Sequence, residues 1–153
     1  MTSPDAESGF RCASALSTAP DAGRALAEIC DQALGALGGK PDLAVLFVSA
    51  DRADGCDAIA GRVCDRLETE HLIGCTAESV VGTGQEIEGE PAMSLWLARL
   101  PGADLVPMHL AFQRTPEGGA ILGWPDALLH AWPEPASMLL FGEPFTFRSD
   151  FLF

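Results

Sequence analysis

The sequence predicts an α/β fold: a mixed β-sheet with a parallel βαβ start, then an antiparallel meander, and helices packed on the sheet. Three observations predict it. The unbroken apolar run Leu43–Val48 has the length and composition of a strand buried on both faces. An amphipathic stretch over about Asp54–Glu70 follows, then a second short apolar run, His71–Gly74, which is the spacing of a crossover between parallel strands. Beyond Pro91 come strand-length segments with no helix between them.

Residues 1–9 read as a loose tail, and residues 10–153 as one domain. Phe10–Ser17 alternates Phe10, Cys12, Ser14 and Leu16 against smaller residues, which fits a short first strand. Thr18 with Asp21 three residues on resembles a capping box, and Pro20 suits a first turn. Ala22, Ala25, Leu26, Ile29, Cys30, Ala33, Leu34 and Leu37 then recur as one helical stripe, closed by Gly38-Gly39 and Pro41. The second helix turns Ile59, Ala60, Val63, Cys64 and Leu67 inward, and both helices are expected on one face of the sheet. Ala92–Leu100 and Asp104–Arg114, parted by Pro101-Gly102, read as a hairpin, with Pro107 marking an edge or bulge. Thr115–Ala120 reads as a loop, Trp124–Trp132 as holding a helical turn, and Ser137–Phe141 as a further buried strand. The final FRSDFLF starts a helix cut off after one turn. Phe151, Leu152 and Phe153 are expected to lack partners, so the chain reads as a fragment with a tail that is disordered or self-associates.

Composition narrows the class. A 153-residue chain with 48% hydrophobic residues and 16 glycines is globular. No apolar run approaches the roughly 18–20 residues of a membrane helix, and the start MTSPDAESGF lacks the basic and apolar regions of a signal peptide. With 22 acidic residues against 9 basic ones the net charge is −13, which disfavours binding to nucleic acid or anionic lipid. The five cysteines (Cys12, Cys30, Cys56, Cys64, Cys75) include no C-x-x-C pair and no zinc spacing. They place the chain in a reducing, cytoplasmic setting.

The chemistry concentrates in Leu72–Pro91, LIGCTAESVVGTGQEIEGEP: a strand, a turn at Gly74-Cys75-Thr76, two glycines at Gly82 and Gly84, and the carboxylates Glu86, Glu88 and Glu90. Each feature has a plain counterpart. Cys75 with His71 or His109 can form a thiol nucleophile and its base, but His71 lies roughly 13 Å away along an extended strand, and a small buried thiol is the commoner occupant of a strand end. The three glutamates share one face of an extended segment and offer oxygens to Mg²⁺ or Ca²⁺, yet such a face is more often only solvated. Gly82-Thr83-Gly84 can present backbone N–H groups to an anion, without the lysine of a P-loop or the third glycine of a dinucleotide fingerprint. Trp96, Trp124 and Trp132, with Phe47 and Phe112, can line a pocket but are more often core. No cofactor is expected.

Taken together, LAVLFVSA after an alanine-rich helix, IGCTAESVVGTGQEIEGEPAMSLWLARLPG in the middle and MLLFGEPFTF near the end resemble the FIST domain, in its N-terminal part, from about Phe10 onward. The resemblance implies a sensory, signal-transducing module that binds a small ligand such as an amino acid and is not an enzyme. It implies as partners a C-terminal FIST domain or a downstream signalling domain. Gly74-Cys75-Thr76 and Gly82 through Glu86 correspond to that family's glycine-rich motif, and Gly142-Glu143-Pro144-Phe145 stands where its members read Asp-Pro-Phe. The expected ligand site gathers Ser49, Gly74, Cys75, Thr76, Glu78, Gly82, Gly84 and Glu86 at the carboxyl ends of two parallel strands. The alternative is a cysteine-dependent hydrolase or transferase using Cys75.

Overall fold

The computed structural model describes residues 9–82, 84–116, 118–143 and 145–152. They form two compact units, divided between Asp104 and Leu105. The tail expected over residues 1–9 lies, Gly9 apart, outside the described residues.

The first unit runs β1 (Arg11–Ser17), α1 (Ala22–Leu37), β2 (Leu43–Ser49), a 3-10 segment (Ala50–Gly55), α2 (Cys56–Leu67), β3 (Leu72–Ala77), β4 (Ser79–Gly82), β5 (Gln85–Glu88) and β6 (Met93–Arg99). Its main sheet is mixed, in the order β1-β6-β2-β3. Strands β2 and β3 are parallel, as the crossover requires, and β6 is antiparallel to both β1 and β2. The α/β reading therefore holds. The strand after Pro91 enters the middle of the sheet, between β1 and β2, because its residues (Met93, Leu95, Leu97, Ala98) are apolar enough to be buried completely.

Both helices lie on one face, where Leu26, Ile29, Ala33, Leu37, Ile59, Val63 and Leu67 meet Ala15, Ala44, Leu46, Val48, Met93, Leu95 and Leu97. Cys30 belongs to this core, and burial pushes its thiol up to about 11. Helix α1 spans the expected residues, but its N-cap is Asp21, whose side chain accepts from Arg24 N at 2.8 Å, and not Thr18, so Pro20 precedes the first turn; Gly38, at φ 73°, closes the helix. On β1 the small residues Ala13, Ala15 and Ser17 face this helix. The larger alternating set, Phe10, Cys12, Ser14 and Leu16, lies on the other side of the strand, because close approach of α1 leaves room only for small side chains.

The expected turn at Gly74-Cys75-Thr76 is instead strand. Pairing of residues 72–77 with 44–49 continues through it, which satisfies the backbone that a turn would leave free. The chain reverses later, through the hairpin β4–β5, which sequence reading took as an irregular glycine loop. Strand β4 contacts β2, β6 and β1, and so passes over the second face of the sheet. Val80 is buried beneath it, and a Cβ on Gly82 would lie 2.6 Å from Leu16 Cβ. This hairpin carries the glycine turn from one edge of the sheet to the other.

The second unit holds β7 (Ala111–Gln113) paired antiparallel with β8 (Ala120–Leu122), the short helix α3 (Asp126–His130) and a 3-10 turn at Ser149–Phe151. The hairpin expected between Ala92–Leu100 and Asp104–Arg114 is not formed. Residues 103–110 are not strand, and β7 takes β8 as its partner. Ser137–Phe141 is not a strand either: Met138, Leu139 and Leu140 are exposed, since an apolar run becomes a strand only where another strand completes its hydrogen bonds. Trp124 and Trp132 stack edge to face at 6.0 Å in this unit. Phe151, expected to lack a partner, lies 5.1 Å from Phe112 with Arg148 over both rings. Phe153 lies outside the described residues. Among the described residues no helix is long and apolar enough to cross a membrane.

Candidate functional site

Strands β1, β2 and β3 all run the same way, so Ser17, Ser49 and Ala77 end at one side of the sheet. Ser49 is buried there and already engaged: its Oγ accepts from Ala92 N at 2.9 Å. Cys75 and Thr76 are exposed on the edge strand, with Cys75 opposite Phe47 and Thr76 opposite Val48. Glu78 is exposed in the bend that follows. Gly74 is required by its own strand, since a Cβ would overlap the Leu46 carbonyl. Gly82 packs on Leu16, Gly84 turns the hairpin at φ 77°, and Glu86 accepts from Ser79 Oγ at 3.0 Å on the hairpin's outer face. Glu88 shares that exposed face, and Glu90 lies past Gly89, beyond the strand. Ser49, Cys75 and Thr76 are thus neighbours, while the hairpin holds Gly82, Gly84 and Glu86 over the sheet.

Among the described residues Cys75 has no activating partner. What burial its thiol has pushes its pKa up, and the nearby Cys56 pushes the same way. A nucleophilic cysteine needs the opposite shift, from a cation or a helix N-terminus.

A cleft of about 660 Å³ opens instead along β1, lined by Ser14–Pro20, by Arg24, Glu28 and Gln32 of α1, and by Gln85 of the hairpin. The three helix residues are spaced by four and so form one polar stripe beside the apolar one. Gln85 reaches the cleft because it pairs with Gly82, on the side of the hairpin that faces β1. In its lining, Glu28 Oε2 accepts from Ser17 Oγ at 2.6 Å and Oε1 accepts from Arg24 Nε at 2.7 Å. The Ser17 hydroxyl first, and Arg24 second, hold the Glu28 carboxyl below the usual glutamate value. An ionised carboxylate has about four acceptor positions, so two remain for a donor entering the cleft. None of the eight residues expected from sequence lines it. The signal was present in the 24-28-32 spacing, which periodicity alone reads as a solvated flank.

Behind the cleft wall sits Arg52, from the 3-10 segment after β2. Its Nη2 donates to the carbonyls of Ala19 (2.5 Å) and Pro20 (3.4 Å), and its Nε lies 3.8 Å from Asp51 Oδ2. The residue is 8% exposed, and Nη1 is buried with no partner. Leaving a charged donor in that state costs about 1–3 kcal/mol or more.

A parallel βαβ core with a hairpin folded over its open face defines a small α/β domain with a mixed sheet. Residues 42–153 match the FIST N domain, and the chain belongs to that family. It is 39% identical over 139 residues, 90% of its length, to an uncharacterized protein of Mycobacterium tuberculosis, and 35% identical over 140 residues, 88% of its length, to one of Mycobacterium bovis. It spans about a third (34%) of the length of each. No solved structure matches it.

Proposed function

We propose that this chain is the ligand-sensing part of a FIST signal-transduction protein, and that the β1–α1 cleft binds a small polar metabolite carrying an ammonium group, such as an amino acid. One observation carries this reading: Glu28, whose carboxyl is held below the usual glutamate value, lines a cleft with acceptor positions to spare. The net charge of −13 adds attraction for a cationic group. Arg24, beside it, can answer a ligand carboxylate by exchanging partners. A C-terminal FIST domain or a signalling domain would receive the output, in the cytoplasm.

The test is a thermal-shift screen of amino acids and related amines on this chain and on its Glu28→Gln and Glu86→Gln variants. At a ligand concentration a hundredfold above Kd the stabilisation is about 2.7 kcal/mol, readily seen in a domain of this size. Loss of the response in Glu28→Gln alone supports the cleft. Loss in Glu86→Gln alone moves the site to the hairpin and the Gly74–Glu78 end of β3. No response to any metabolite, with this chain or with a longer one carrying the remainder of the protein, defeats the sensor reading.

A further inference from the structure

Three of the nine basic residues of this acidic chain lie on or against the segment that starts α1. Arg52 holds the carbonyls of Ala19 and Pro20, which lead into the helix cap. Arg62, from α2, overhangs the first turn: a Cβ on Gly23 would lie 3.4 Å from its Nη2. Arg24 belongs to the same turn. The helix adds the partial positive charge of its N-terminus. None of this would point to a ligand without Arg52 Nη1, a buried charged donor in a side chain only 6% exposed, with no acceptor. A guanidinium does not deprotonate in proteins, so such a donor is relieved only by an acceptor brought to it.

We propose that the entrance of α1 is an anion subsite in which Arg52 and Arg62 bind the carboxylate of a small monoanionic ligand against the helix's first turn. Charge decides the class. Arg24, Arg52 and Arg62 face Asp21, Asp51 and Glu28, so the local charges balance. A carboxylate adds one negative charge to that balance; a phosphate dianion adds two, in a chain that already carries −13. The planar guanidinium also matches a carboxylate in shape. Entry requires Arg52 to loosen its hold on Ala19 and Pro20, and because both residues line the β1–α1 cleft, occupancy here changes the cleft wall. The subsite does not depend on Glu28 binding an ammonium group.

Sodium acetate and sodium phosphate are the probes, each compared with sodium chloride at equal ionic strength and pH 7 on the full chain. The readouts are melting temperature and the guanidinium ¹⁵N–¹H signals of Arg52. Acetate should raise the melting temperature above the chloride control and move the Arg52 signals. Arg62→Gln breaks no hydrogen bond or ion pair among the described residues, so it should fold normally and weaken acetate binding about tenfold. Arg52→Lys keeps the charge, loses the planar fork and should weaken binding further. Glu28→Gln should retain the acetate response. Equal responses to acetate and chloride overturn the proposal, as does an acetate response unchanged in Arg62→Gln. A larger response to phosphate overturns the monoanion, and a stronger acetate response in Glu28→Gln, which frees Arg24, places the anion at Arg24 instead.

Discussion

Glu28 shows how a single side chain on a helix flank acquires a role from its neighbours. Position 28 reads as solvated in the sequence. The carboxylate is fixed only because Ser17, at the end of a strand eleven residues earlier, turns its hydroxyl toward it at 2.6 Å. A pH dependence follows. The folded-state pKa is depressed, so the stabilisation is full above the ordinary value of about 4.5 and is lost as pH falls through the folded value. Replacing Glu28 with Gln should lower the urea midpoint at pH 7, and the wild-type and variant midpoints should converge as the pH falls below 4.5 and through the folded value. A constant gap across that range would mean that the charge has no part in the effect. Arg52 was equally illegible, because a lone arginine after a strand gives no sign that it will be buried. Cys75, expected as a small buried thiol at a strand end, lies within β3 and is exposed, and its raised pKa withholds the chemistry that the alternative reading needed.

At the scale of elements, helix α1, strand β2 and the βαβ crossover could be read directly, since each has one dominant period and a chemical stop signal. The hairpin β4–β5 could not. Its strands are four residues each, and Val80-Val81 followed by Gly82 and Gly84 has too few residues to establish a period of two. It is seated over the sheet by buried Val80 and by the close fit of Gly82 on Leu16. A side chain at residue 82 should therefore act as an overpacking substitution. Gly82→Ala should destabilise the chain by about 1–3 kcal/mol, and Leu16→Ala in the same chain should make room for it. The double variant should then cost less than the sum of the two single ones in a denaturation cycle. Strict additivity would show that the hairpin does not press on Leu16. Ser137–Phe141 failed for the opposite reason: composition states what a segment can bury, not whether a neighbouring strand exists to pair with it.

Across the whole molecule, burial is uneven. Every fully buried side chain of the core lies at or before Ala98, and no described residue from 105 onward is buried. Native-state hydrogen exchange should find its slowest amides in β2, β6 and α1, and should find β7, β8 and α3 exchanging first. Comparable protection in both units would contradict that picture. The strand order β1-β6-β2-β3 also bears on how the chain is made. In the main sheet β1 pairs only with β6, joining Arg11 to Arg99 and Ser17 to Met93. A ribosome adds residues at roughly 5–20 per second, so β1 waits on the order of ten seconds before the strand that completes it has been synthesised. Meanwhile β2, α2 and β3 can already assemble from residues close together in the chain. The cleft, whose wall is β1, is therefore the last part of the first unit to take shape in the newborn protein.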